Sequence, residues 1–470
     1  MKNLRIIEAK IGEQVFPLSH HTIESDGSSN HISVVIGNNA TGKSRLLAGM
    51  LNCLRQGTNY RAKNRVDDIE ITILSGDTVS CISKGNPGIS SKLNLISISN
   101  SLFDKFPIEG TLDLNYAYIG TKSASIGSPT SFITNDLMDA LSSHLENLSF
   151  RNKASEIFSF IGLKPIINIV LSPSYRSSNK AIQELLGNSS TATRLIKYLK
   201  VEISRGVYRV QRKSLLKSLD NANFMLGFHT FLASTFKQFI SSDAPTLEYL
   251  IKIDEPDENT EFIHEYRFFS FLRQLRLISY NGIFVQKGDH IYDINDSSTG
   301  EIGLLTTFIR AIPHLKPNSI IFIDEPEISL HPSWQMQYIS LLQKFLEGYT
   351  GCHVIIATHS HLILSDLRNE WSSVLTLRAG ENNQVIAKLR PYTPFGWSPE
   401  AILYEVFGVA TVRNQLFEHE LSKMLELIAI DSDDVPKIQE YIDKFESFQY
   451  SEADPLNLVI QEAKEYVASK

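Results

Sequence analysis

The chain has 470 residues, long enough to bury a large core and to form more than one packing unit. Its composition, 42% hydrophobic and 21% charged with a net charge of −7, is that of an ordinary globular protein and excludes a uniformly basic nucleic-acid coat. Cys53, Cys81 and Cys352 have neither disulfide nor zinc spacing, no apolar run approaches the roughly 18 residues that cross a bilayer, and the N-terminus has no apolar signal core, so a reducing cytoplasm and no membrane are expected.

The first 37 residues read as a strand, a loop of turn formers (SHHTIESDGSSN) and a second strand, ISVVIG. Residues 37–44, GNNATGKS, follow that strand and match the pattern G-x-x-x-x-G-K-[ST]. Glycines at such a turn let successive backbone N–H groups curl around phosphate oxygens, and the loop here is Gly37, Asn38, Asn39, Ala40, Thr41 and Gly42. Lys43 would reach the terminal phosphates, and the Ser44 hydroxyl would ligate Mg²⁺. From Arg45 a helix is expected, with Leu46, Leu47, Met50, Leu51 and Leu54 on one face; its N-terminus would point at the anion.

Short β-like runs (ITIL, LNLISIS, LNYAYIG) continue to about residue 120, and the Ser/Gly-rich stretch GTKSASIGSPTS marks a boundary. The segment 131–278 reads as a mainly helical insertion, broken at Gly162, Pro173, Gly187 and Pro245. In LISYNGIFVQ, Asn281-Gly282 is a hairpin signal. From 279 to 410 helices alternate with apolar strands, as in a parallel α/β sheet. The tail, 411–470, reads as three amphipathic helices, with Phe417, Leu421, Met424, Leu425 and Ile428 lining the first and Val435, Ile438, Ile442 and Phe445 the second. The fold class is α/β: a sheet with flanking helices, split in two by the insertion.

Ile-Asp-Glu-Pro occurs twice, in IKIDEPDE (251–258) and IIFIDEPE (320–327). A phosphate loop needs an acid at the end of a neighbouring buried parallel strand. Lys252 lies inside the first copy, and Asp257, Glu258 and Glu261 follow it, so that copy reads as an exposed acidic turn. Four uninterrupted apolar residues precede Asp324 in the second. Another apolar strand, HVIIATHSH, then delivers Thr358, His359 and Ser360 to the same sheet edge. A basic tract with interleaved tyrosines holds Arg194, Lys197, Lys200, Arg205, Arg209, Arg212, Lys213 and Lys217 against the single acid Glu202. It is either a nucleic-acid patch or a solvated surface.

This motif order resembles the ATPase heads of the ABC class, in particular the SMC-like and OLD-like P-loop ATPases. GNNATGKS is similar to their G-x-N-G-x-G-K-S, with Ala40 in place of the usual glycine. SSTGE (297–301) resembles the signature L-S-S-G-E; alone, such a turn is an ordinary helix cap. IDEPEISLHP is similar to their acid strand followed by E-x-x-L-H-P, and ATHS to their switch histidine. The resemblance implies ATP and Mg²⁺ sandwiched between two heads of a head-to-head dimer or higher homo-oligomer. Asp324 would then hold the metal, Glu325 would polarise the attacking water and His359 would contact the terminal phosphate. Ser298, Gly300 and Glu301 would serve the opposite subunit's nucleotide. The metal-binding glutamine of that class has no counterpart in LISISNSLFDKF, where Asn100 stands instead.

Without sustained heptads or a complete TOPRIM domain, the chain most resembles the ATPase subunits of Septu anti-phage systems and their retron-associated relatives. That resemblance implies a separate HNH-type nuclease partner, with DNA or retron RNA/DNA as further partners. A free-standing repair ATPase of the RecF type and an OLD-type nuclease with a degenerate tail (LELIAIDSDD) are the alternatives; a transporter ATPase is disfavoured by E-x-x-L-H-P.

Overall fold

The structure, a computed structural model, describes residues 4–20, 30–38, 40–55, 69–76, 78–83, 93–101, 103–108, 115–120, 129–173, 196–197, 200–201, 212–236, 238, 246–255, 260–275, 277–380, 384–407, 415–430, 434–448 and 456–469. They fall into two compact units, Met1–Gly396 and Trp397–Lys470.

The first unit opens with a hairpin, β1 (Leu4–Ile11) and β2 (Gln14–Pro17). The chain enters a central sheet through β3 (His31–Gly37) and leaves it along α1 (Lys43–Leu54). β4 (Ile69–Ser75) and β5 (Thr78–Ser83) return to the hairpin, making an antiparallel sheet in the order β2-β1-β4-β5. The apolar face of α1, including Leu47, Met50 and Leu51, is sealed between this sheet and the central one.

β6 (Asn94–Ser99) and β7 (Tyr116–Gly120) join the central sheet. Then come α2 (Pro129–His144), α3 (Leu148–Ile161) and β8 (Ile166–Pro173). They are followed by α4 (Arg212–Asp220), α5 (Ala222–Phe231), β9 (Leu247–Lys252) and α6 (Thr260–Gln274). β10 (Ile278–Lys287) and β11 (His290–Asp293) complete a second antiparallel sheet, ordered β11-β10-β8-β9. The 131–278 region is therefore not helical throughout. IINIVLSP, expected to be helical up to Pro173, is a strand: its β-branched residues favour extended backbone, and it is hydrogen-bonded between β9 and β10. Gly162 does end a helix, capping α3 at φ +85°.

Asn281-Gly282 is not a hairpin turn. β10 runs straight through it, with a register shift between Tyr280 and Gly282, and turns instead at Gly288, where φ is +60°.

α7 (Thr299–Ala311), β12 (Ser319–Asp324), α8 (Pro332–Leu346), β13 (His353–Thr358), β14 (Ser372–Ala379) and β15 (Val385–Leu389) finish the unit. The central sheet has the order β15-β14-β3-β13-β12-β6-β7, parallel except for β15. β12 and β13 are buried at every position, as strands covered on both faces must be, and this is why both read as unbroken apolar runs. The acid strand is not the immediate neighbour of the phosphate-loop strand, as the sequence reading assumed: β13 lies between β3 and β12.

In the second unit, α9 (Gln415–Ala429), α10 (Val435–Glu446) and α11 (Leu456–Ser469) pack around Met424, Ile438, Ile442, Phe445 and Ile460. Leu425 faces solvent, with Leu427 packed on the core instead. LELIA, the start of the degenerate TOPRIM reading, lies in helix α9. Among the described residues no helix is long and apolar enough to cross a membrane.

Candidate active site

The three innermost strands end together, and parallel register fixes what their ends carry. Thr358 pairs with Ile36, one residue before Gly37, and Ala357 pairs with Asp324. The loop after β3, the His359 turn and the Asp324-Glu325 pair thus meet at the carboxyl edge of the sheet, where open α/β sheets place their ligands.

The loop after β3 is shaped by its small residues. A Cβ on Gly37 would come within 2.4 Å of the Leu377 carbonyl oxygen. Gly42 has φ +88°, and Ala40 has φ +67° where a glycine would be unstrained. Thr41 braces the turn by donating its hydroxyl to the Asn38 carbonyl (2.8 Å). Asn38 and Arg45 are exposed, and Asn39 lies outside the described residues. α1 then starts at Lys43 with no acidic residue in its first turn, leaving the positive end of its dipole free for an anion.

The Lys43 side chain is 5% exposed and folds over this loop. Its ammonium donates to the carbonyls of Gly37 (2.7 Å) and Asn38 (3.2 Å) and to His359 Nδ1 (3.3 Å). Burial lowers its pKa to about 8, against the raising effect of Glu327, Glu325 and Asp324. Ser44 Oγ donates to Asp324 Oδ1 at 2.9 Å. Asp324 is 2% exposed, and burial raises its pKa to about 7. The Ser44 bond opposes that rise, whereas the negative Glu325, Asp104 and Glu327 add to it.

Glu325 has left the strand. Its φ is +50°, a conformation an L-residue holds only under constraint, and its N–H donates to the Ala357 carbonyl at 2.9 Å. The carboxylate lies 3.8 Å from His359 Nε2. Burial and Lys43 both lower the His359 pKa, favouring a neutral ring that can accept from the lysine. Acids therefore outnumber the lysine around this edge. A bare polyphosphate would be repelled, whereas one accompanied by a divalent cation would suit both charges. Ser44 and Asp324 are the pair placed to hold such a cation.

The E-x-x-L-H-P stretch has a local explanation. Leu330 is buried, His331 caps α8 by accepting from the Ser333 N–H, and Pro332 fills the first helical position, where no N–H is needed. SSTGE is likewise a helix start: Ser298 caps α7 by accepting from Glu301 N–H at 3.2 Å. Gly300 is buried so closely under the E-x-x-L-H-P loop that a Cβ there would sit 2.6 Å from the Ser329 carbonyl oxygen. Glu301 pairs with Lys287 (2.8 Å). Asn100, at the end of β6, accepts from Thr307 Oγ1 on α7 (3.2 Å).

Sequence reasoning assigned nothing to Glu327, although it stands inside the quoted motif. Its carboxylate accepts from the Thr358 hydroxyl and the His359 N–H. Of the basic tract, Arg194, Arg205 and Arg209 lie outside the described residues. Lys197 is exposed, Lys200 pairs with Asp220 (3.1 Å), and Arg212 and Lys213 sit in the first turn of α4.

Residues 139–365 match a protein family described as "AAA domain, putative AbiEii toxin, Type IV TA system". The Septu protein PtuA of Bacillus thuringiensis is 28% identical over 125 residues, which is 26% of this chain and 30% of that protein. Protein ea59 of Escherichia phage lambda is 30% identical over 132 residues, 27% of this chain and 24% of that protein. The match thus spans less than a third of either relative. A Vibrio cholerae protein named "Retron Vc95 probable ATPase" is 22% identical over 411 residues, covering 74% of this chain and 69% of its own length. Among solved structures, the Smc head domain of Pyrococcus furiosus aligns with 82% of this chain and 96% of its own length at 11% identity and a TM-score of 0.31. The ATP-bound recombination mediator RecF aligns with 83% of this chain and its whole length at 11% identity and a TM-score of 0.28.

Proposed function

We propose that this chain is the ATP-binding and ATP-hydrolysing subunit of an anti-phage defence complex, in which nucleotide-dependent association of two heads gates a partner HNH-type nuclease; the match of residues 139–365 to an AAA-domain family supports the ATPase part of that reading. The observation that carries the reading is the convergence of five side chains at one sheet edge. Ser44 meets Asp324 at 2.9 Å, Lys43 meets His359 at 3.3 Å, and His359 faces Glu325 at 3.8 Å. Similarity to the Septu protein and to the retron ATPase supports the defence setting; the nuclease partner is what the resemblance to Septu ATPase subunits implies.

In this reading the loop N–H groups and the start of α1 bind the phosphates, with Lys43 turning from its own loop carbonyls toward them. Ser44 and Asp324 would hold Mg²⁺, which would supply neutralisation of phosphate charge when bound. Glu325 accepts a proton from the attacking water, and His359 contacts the terminal phosphate. Ser298 and Gly300 lead α7, so the N–H groups at that helix start suit a phosphate held by a second head.

The test is a pull-down of the tagged protein from cells expressing its native operon, with ATP present, using the parent and Lys43→Ala. The expected result is a co-purifying nuclease whose DNA cleavage responds to ATP with the parent and not with the variant. Recovery of no nuclease, together with ATP-dependent binding of duplex DNA, would overturn the gating role in favour of a repair ATPase.

A further inference from the structure

Two residues beyond Glu325 a second, half-buried glutamate lies at the same edge. Glu327 Oε2 accepts from Thr358 Oγ1 at 2.8 Å, and its Oε1 accepts from the backbone N–H of His359 at 2.5 Å. Both donors sit where β13 becomes a loop, so one carboxylate spans that bend. A carboxylate suits the place because it only accepts, and two donors converge on it. The bond to the backbone N–H is charge-assisted and therefore among the stronger ones available.

A neighbouring latch holds the same turn. Ser360 Oγ donates to Gln335 Oε1 (2.6 Å), and Gln335 Nε2 donates in turn to the Leu330 carbonyl (2.9 Å). The Ser360 N–H closes back on Thr358 Oγ1 (2.9 Å). The backbone of 358–360 is thus pinned by the segment that follows Asp324-Glu325. Among the described residues the His359 ring nitrogens meet Lys43 and Glu325, so the ring's placement depends on how its backbone is held.

We propose that Glu327 is a positioning residue for His359: its carboxylate fixes the backbone at the end of β13 so that the imidazole stands between Lys43 and Glu325. The activity consequences rest on the ATPase reading above, whereas the structural consequence does not. Glu327→Gln is the informative change. A glutamine accepts with one atom only: with its oxygen on the His359 N–H, its NH2 turns the Thr358 hydroxyl from donor to acceptor, and the charge-assisted bond to the backbone becomes a weaker neutral one.

Two measurements test this, both on the full chain. Amide hydrogen exchange of nucleotide-free protein should show exchange at residues 358–360 faster by at least about tenfold in Glu327→Gln, with the middle of β13 unchanged. Steady-state ATP hydrolysis should show kcat lowered about 10- to 100-fold with KM within about twofold. In a His359→Ala background the same change should add less than about twofold, because a residue acting through another has nothing left to position. Unchanged exchange at 358–360 overturns the proposal whatever the activity. Losses that multiply in the double variant overturn it too, because they make Glu327 an independent structural support. A parent chain that hydrolyses no ATP sinks the ATPase reading instead and leaves the exchange measurement to decide. If Glu327→Gln fails to fold, Gln335→Ala reads the same turn through the Ser360 latch, with faster exchange at 360–362 expected and unchanged exchange counting against the proposal.

Discussion

Ile-Asp-Glu-Pro is written twice in this chain, and the two copies end in different worlds. The first closes β9, the outer strand of the antiparallel sheet, and its Asp254 and Glu255 lie exposed on a turn. Lys252 leans over that turn to pair with Glu255 at 3.1 Å. The second closes β12, which has β13 on one side and β6 on the other. There Asp324 is buried against Ser44, and Glu325 is forced to φ +50°. Identical letters acquire chemistry only where neighbouring strands remove water and bring partners. An edge strand provides a surface ion pair worth no more than about 1 kcal/mol, whereas a central one creates a carboxylate in need of a cation.

The sharpest way to break this comparison is to neutralise the same glutamate in each copy. Glu325→Gln should lower ATP turnover about 10²- to 10⁴-fold, and Glu255→Gln should change it less than about twofold, as read by phosphate release. Parental turnover in Glu325→Gln would remove that residue from the chemistry. Next in size is the strand itself. Phe322 is fully buried in β12, so Phe322→Ala should cost about 3–5 kcal/mol in denaturant unfolding. Leu250 of β9 is 53% exposed, so Leu250→Ala should cost less than about 0.5 kcal/mol.

The other end of the central strands gives a pH effect rooted in burial, which the exposed turn after the outer strand lacks. His353 begins β13 fully buried, accepting from the Ile6 N–H through Nδ1 (2.9 Å) and meeting Ser33 Oγ through Nε2 (2.9 Å). Burial, with Arg5 adding to it, lowers its pKa to about 3. A folded-state pKa below the unfolded value means the neutral ring's contribution is complete above about 6.5 and is lost as pH falls toward 3. Stability should then fall by on the order of 1 kcal/mol per pH unit below about 6. His353→Gln should be less stable at pH 8 yet show a flatter melting profile on acidification; equal slopes would contradict the assignment.

The smallest effect expected is at Ala40. Replacing it by glycine removes the penalty of φ +67° but adds freedom to the unfolded chain. Thermal melts should therefore show a net gain of at most about 1 kcal/mol, and a loss would mean that the added freedom of the unfolded chain outweighs the strain relieved at Ala40.

Much of the site was legible because its chemistry is local. GNNATGKS needs only its own glycines and helix start, and SIIFIDE announces burial by four apolar residues in a row. What escaped was what depends on strand order. β13 lies between β3 and β12, and parallel strands can follow in many orders with the same apolar pattern. Glu327 escaped for a related reason: its donors sit 31 and 32 positions away in sequence, on another strand. The strand at 166–173 was misread because its partners β9 and β10 come much later in the chain.

The sequence by itself determined that a phosphate loop follows a buried strand and that one Asp-Glu pair, not the other, ends a central one. Those features follow from residue type and spacing within a dozen positions. Only the tertiary structure decided that His359 reaches Lys43, that Glu327 holds the turn beneath it and that Gly300 lies under Ser329. These depend on which strands are neighbours and in what register, and burial makes such contacts strong without leaving a local trace in the chain.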